Sequence, residues 1–114
     1  MANRRTYFTY ILANANRRLY IGMTNDMTRR LREHRTSKKG FAASYRITRL
    51  VYYEVFEGPN AALERERVIK KWRREKKIQL IESKNPMWEE LVVADDGGIS
   101  HPSDSKLSNL NPKI

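Results

Sequence analysis

The stretch Tyr7-Phe8-Thr9-Tyr10-Ile11-Leu12-Ala13-Asn14-Ala15-Asn16-Arg17-Arg18-Leu19-Tyr20-Ile21-Gly22-Met23 decides how this chain reads. Its two ends are rich in aromatic and β-branched residues, which suit a pleated surface. Between them, Asn14-Ala15-Asn16-Arg17 is turn chemistry, because Asn tolerates left-handed backbone. The spacing predicts strands over Tyr7–Ala13 and Leu19–Met23, joined as a hairpin. Tyr10 and Tyr20 then lie on neighbouring strands, and Tyr20 opens the triplet Tyr20-Ile21-Gly22.

Downstream, Thr24, Asn25 or Asp26 can cap a helix by accepting from its first free N–H groups. That helix runs to about Arg35, with Met27, Arg30, Leu31 and His34 at i, i+3, i+4 and i+7 along one face. A basic loop follows from Thr36 to Ala43. Thr48 to Phe56, with Leu50, Val51, Tyr52, Tyr53, Val55 and Phe56, carries the strongest strand signal in the chain and reads as buried on both faces. Gly58-Pro59-Asn60 ends it and starts a second helix, which continues to about Arg74. Lys76 to Ser83 predicts a further helix, and Pro86 to Leu91 a short terminal one. From Ala94 the composition turns to Asp, Gly, Pro, Ser and Asn, so residues 94–114 read as a flexible tail after a domain spanning 1–93.

The charge is lopsided. The 114 residues hold 23 Lys and Arg against 13 Asp and Glu, a net +10. After Val93, Asp95, Asp96 and Asp104 stand against Lys106 and Lys113, a net of −1, so residues 1–93 carry +11. Such an excess on one small domain marks a polyanion partner, with nucleic acid ahead of a membrane surface. No apolar run approaches the roughly 20 residues of a spanning helix. The first residues lack a signal-peptide core, and there is no cysteine for disulfides or thiolate metal sites. The expected location is the cytoplasm. Two basic clusters stand out. One holds Arg29, Arg30, Arg32, Arg35, Lys38, Lys39, Arg46 and Arg49, and the other Lys70, Lys71, Arg73, Arg74, Lys76 and Lys77. They read as phosphate contacts that supply affinity without sequence choice.

Among the carboxylates, Glu66 is singled out by helical geometry. At about 100° per residue it falls about 40° from Ala62, on the packed face with Ile69, whereas Glu64 falls about 200° away, toward solvent. A carboxylate in a packed face is costly unless it has a partner. A metal ion or Arg30 would serve; the plain alternative is an i,i+4 pair with Lys70 on the helix surface. Phosphodiester hydrolysis needs an aligned and deprotonated water, stabilised phosphoryl charge and a neutralised leaving oxygen. One Mg²⁺, which needs only one or two carboxylates, can meet the last two needs. Each of Tyr10, Tyr20, Arg30 and His34 alone reads as ordinary structure. Together, in this order and at this spacing, they read as a site.

The ordered set resembles the GIY-YIG nuclease family, in its small single-domain branch. The likeness rests on Tyr10, on the triplet Tyr20-Ile21-Gly22, on Arg30 and His34, and on Arg65-Glu66-Arg67-Val68-Ile69-Lys70-Lys71-Trp72, and it covers about residues 5–92. Where the family has Gly-Ile-Tyr, this chain has Phe8-Thr9-Tyr10. The resemblance implies an α/β fold with a small three-stranded, mainly antiparallel sheet flanked by helices. It also implies a metal-dependent endonuclease acting on DNA more readily than RNA, structure-selective in repair or recombination. By the same likeness, Tyr10 or Tyr20 orients or deprotonates the water, Arg30 stabilises the scissile phosphate, His34 relays a proton or holds a tyrosine or the phosphate, and Glu66 holds one Mg²⁺ or Mn²⁺. Gly22 lets backbone approach the site, and Asn85 stands for the family's late asparagine. A catalytically weak nucleic-acid-binding module on the same fold is the alternative.

Overall fold

The computed structural model describes residues 5–102. Strands β1 (Tyr7–Ala13) and β2 (Leu19–Thr24) form the expected hairpin, with Tyr10 opposite Gly22 and Leu12 opposite Tyr20. Asn14 builds the turn. Its side-chain oxygen accepts from the backbone N–H groups of Asn16 and Arg18 at 3.0 and 2.9 Å, and Arg17 takes the left-handed conformation, φ 62°. Strand β3 (Arg49–Phe56) pairs antiparallel with β1, giving the sheet order β2-β1-β3.

Helix α1 (Met27–Thr36) begins at Asp26, whose carboxylate accepts from the Arg29 N–H at 3.1 Å. Of the three candidate caps, Thr24 supports Asp26 instead, accepting its N–H at 3.0 Å. A short helix α2 (Phe41–Ser44) interrupts the expected basic loop. Helix α3 (Pro59–Lys71) starts within the expected Gly58-Pro59-Asn60 break, at Pro59, and ends three residues before the expected Arg74. Trp72 and Arg73 are extended, and α4 (Arg74–Lys84) begins anew.

Because side chains alternate across a strand, the sheet divides its residues between two cores. Tyr10 and Leu12 pack with Met27 and Leu31 of α1 and with Ile47, Leu50 and Leu91. Ile11, Ala13 and Ile21 pack with Ile69 of α3, Ile81 of α4 and Trp88. Helices therefore cover both faces. Thr9 ties the second face down by donating to the Ala62 carbonyl at 2.7 Å.

Three expectations need correction. First, β3 is buried on both faces only over Leu50–Tyr52, and Val55 is exposed, because β3 is an edge strand that outruns its helical cover. Second, Pro86 to Leu91 is not a helix. Asn85 leaves helical backbone, Trp88 is left-handed (φ 56°), and the Leu91 N–H donates to Leu50 O at 2.8 Å. Third, residue 94 does not end the ordered chain. Strands β4 (Val92–Val93) and β5 (Ile99–Ser100) pair across the Asp-Gly turn, and Val93 and Ile99 pack on the α1-side core. The rest of the expected tail, 103–114, lies outside the described residues, as do Met1 to Arg4.

Candidate active site

Tyr10 is the centre of the arrangement. Its residue is 0% exposed, so its hydroxyl is satisfied wholly within the fold. Arg30 Nε donates to Tyr10 Oη at 3.1 Å, and His34 Nε2 lies 3.0 Å from the same oxygen. Arg30 and His34 are one turn apart on α1, which is why both reach one atom. Since Tyr10 Oη already accepts from Arg30, its own proton is the one available to His34, and the imidazole then carries its proton on Nδ1. Burial and the neighbouring Arg30 charge lower the His34 pKa, favouring this neutral form. Burial pushes the Tyr10 phenol up to about 12, with Arg30 opposing it and the charges of Tyr20 and Glu66 adding to it. The bond to Tyr10 in turn raises the Arg30 pKa.

Tyr20 is differently placed. Its ring meets His34 edge-on at 4.9 Å between centroids and stands 6.4 Å from the Tyr10 ring. With Arg30, Glu33, His34, Ser37 and Lys39 it lines an open cavity of about 270 Å³. Gly22 makes the arrangement sterically possible. A Cβ there would lie 2.6 Å from Cζ of the immobile Tyr10 ring, so the glycine is required by close approach.

Glu66 projects from α3 on the packed side, as its helical angle predicts, and α3 packs on β1 and β2. Its side chain is 15% exposed and forms an ion pair with Lys70, Nζ to Oε2 2.5 Å. Glu64, by contrast, is exposed. Glu66 is close enough to Tyr10 for its charge to act on the phenol.

Asn85, expected near the site, is instead a structural staple. Its amide donates to the carbonyls of Val51 and Glu89 at 3.0 and 2.9 Å and accepts from the Glu89 N–H at 2.9 Å, all backbone groups. The cations divide as well. Lys39 lines the cavity with Tyr20. Lys38, Arg46, Lys71 and Arg73 are exposed. Arg74 donates to the Arg17 carbonyl at 2.8 Å, holding the hairpin tip. Arg29 faces a separate hollow that also holds Asp26, Asp95 and Asp96. Sequence reasoning missed Glu33, which receives Arg30 Nη1 at 3.1 Å and pairs with Arg29 at 3.5 Å. Its i+3 spacing from Arg30 was the available signal.

A family model described as the GIY-YIG catalytic domain matches residues 6–79. The fold is of the nuclease type, and the chain belongs to the GIY-YIG family. Among its relatives, a UPF0213 protein of Haloquadratum walsbyi is 42% identical over 80 residues, spanning 67% of this chain and 86% of that protein. A UPF0213 protein of Clostridium perfringens is 40% identical over 82 residues, spanning 68% and 85%. The solution NMR structure of a UPF0213 protein from Bacillus halodurans superposes with a TM-score of 0.49 at 28% identity, covering 73% of this chain and 89% of that one.

Nucleases of this family are generally metal-dependent and act on nucleic acid. Among the described residues no group of three or more His, Cys, Asp or Glu could cage an ion. The single hard carboxylate of Glu66 still fits Mg²⁺, which keeps several waters and takes its remaining ligands from substrate phosphates.

Proposed function

We propose that this chain is a metal-dependent endonuclease that hydrolyses DNA phosphodiester bonds, selecting substrates by shape in repair or recombination. The observation that supports this reading is the convergence of Arg30 and His34 on the buried Tyr10 hydroxyl, beside a cavity lined by Tyr20.

The scissile phosphate enters the cavity, where Arg30 and Lys39 meet its oxygens. Arg30 is held for this by Tyr10 and Glu33. Tyr20, the tyrosine open to the cavity, orients the attacking water and, as the phenolate, takes its proton. Tyr10, shut away from water and raised to about 12, is the positioning residue that locks Arg30 and His34. Neutral His34 completes that lock. Water attacks phosphorus, and the bond to the 3′ oxygen breaks. A Mg²⁺ or Mn²⁺ held by Glu66 would supply positive charge to the phosphoryl and leaving oxygens. The basic surface outside the cavity, including Lys38, Lys70, Lys71 and Arg73, contributes affinity for the backbone.

A catalytically weak binding module on the same fold is the second reading, favoured by the Lys70 cation that already occupies Glu66. Cleavage of labelled single strands, duplexes, flaps, forks and junctions with Mg²⁺ or Mn²⁺ separates the two. Under the nuclease reading, Glu66→Ala and Arg30→Ala each lose at least about a hundredfold in rate, while Glu66→Ala keeps its DNA affinity and EDTA stops wild type. Salt-sensitive binding with no cleavage of any substrate by wild type would establish the binding module.

A further inference from the structure

The partner of Glu66 is unusual for a residue read as a metal ligand. Lys70 sits one turn further along α3, with Nζ 2.5 Å from Glu66 Oε2. An ammonium in that position takes the same lone pairs, and cancels the same charge, that a divalent cation would use. Among the described residues no cluster of three or more His, Cys, Asp or Glu offers a replacement site. Both carboxylate oxygens of Glu33 engage arginines, and Tyr10 is committed to Arg30 and His34. The free protein therefore presents a divalent ion with one carboxylate, already neutralised.

The two halves of the pair differ in freedom. Glu66 is 15% exposed and fixed by the packed face, whereas Lys70 is 52% exposed on a flexible four-carbon stem. Lys70 can thus leave at small cost once another anion is offered. The backbone phosphate of a bound strand is such an anion, and it also brings the oxygen ligands that a single-carboxylate Mg²⁺ site lacks.

We propose that Lys70 is an internal counter-ion that couples metal loading to nucleic-acid binding: in the free chain it holds Glu66 against divalent cations, and substrate phosphate draws it away as the metal enters. This rests on Glu66 being the metal ligand, as read above. Linkage makes the coupling mutual, so whatever DNA does for metal affinity the metal does for DNA affinity. The free protein is thereby kept from standing loaded without its substrate.

The test is Mn²⁺ binding by the full chain, read by loss of the free-ion electron paramagnetic resonance signal. Wild type, Lys70→Met and Glu66→Gln are compared with and without a cleavage-resistant phosphorothioate duplex. Without DNA, Lys70→Met should bind Mn²⁺ about fivefold more tightly than wild type, the scale of one half-buried ion pair. The duplex should tighten Mn²⁺ binding markedly in wild type and much less in Lys70→Met. Equal Mn²⁺ affinity of wild type and Lys70→Met without DNA, alongside loss of binding in Glu66→Gln, overturns the counter-ion role alone. Undiminished Mn²⁺ binding in Glu66→Gln overturns the metal reading of Glu66, and the proposal with it. Methionine keeps the length and helix propensity of lysine, and unchanged circular dichroism confirms that the fold is intact.

Discussion

Gly22 and Tyr10 show how one residue's absence of a side chain determines another's position. The strand register sets them opposite each other, and the ring fills the space a Cβ would take. Tyr10 cannot yield, because it is fully buried between Arg30, His34 and the α1-side core. Gly22→Ala should therefore cost about 1–3 kcal/mol of stability through overpacking. Cleavage should fall by at least tenfold, because the displaced hydroxyl no longer holds Arg30 and His34. Thermal unfolding and a cleavage assay on the same sample check this; a variant with wild-type rate would show that the Tyr10 position does not matter to the reaction. Such tight dependence was only partly legible in the chain. The triplet Tyr20-Ile21-Gly22 marks the strand, but only pairing reveals which ring the glycine accommodates.

At the level of elements, the hairpin and α1 were the most legible. The turn chemistry of Asn14 and the cap at Asp26 are local, each acting within four residues. The segment after α4 was the least legible. Its apolar residues suggested a helix, yet tertiary bonds won: Asn85 spans to β3, and Leu91 donates to Leu50. Asn85→Ala should thus destabilise the fold by about 2–4 kcal/mol, since it leaves buried backbone groups of Val51 and Glu89 without partners. Because Asn85 stands apart from the cavity, rates measured well below the unfolding temperature should change little. Denaturant unfolding and steady-state cleavage measure the two effects separately, and a stable but inactive variant would return Asn85 to the site.

For the whole molecule, charge is distributed unevenly. Asp26, Asp95 and Asp96 gather with Arg29 and Arg32 around one hollow at the start of α1, while the Tyr20 cavity carries Arg30 and Lys39 with Glu33, and the α3–α4 junction carries exposed Lys71 and Arg73. A strand of phosphates is drawn to the basic side. Engagement of about four phosphates predicts that log affinity falls with log salt at a slope of about −3.6, or about a hundredfold from about 50 to 200 mM. Fluorescence anisotropy across a salt series measures the slope, and salt-independent binding would contradict the electrostatic footprint. Among the described residues no helix is long and apolar enough to cross a membrane.

The sequence by itself determined the sheet-forming hairpin, β3, the helices α1, α3 and α4, the family and the side of α3 that carries Glu66. Each depends on periodicity or on contacts only a few residues apart, which a linear pattern encodes directly. The tertiary structure alone decided which tyrosine is sealed and which is open, that Asn85 is a staple, and that β4 and β5 extend the fold past residue 94. It also showed that Lys70 reaches Glu66 in an ion pair. These outcomes depend on burial and on pairings between residues far apart in sequence. The i,i+4 pair was visible as a possibility, but its significance beside a buried tyrosine emerges only once α1 and α3 are set against the sheet.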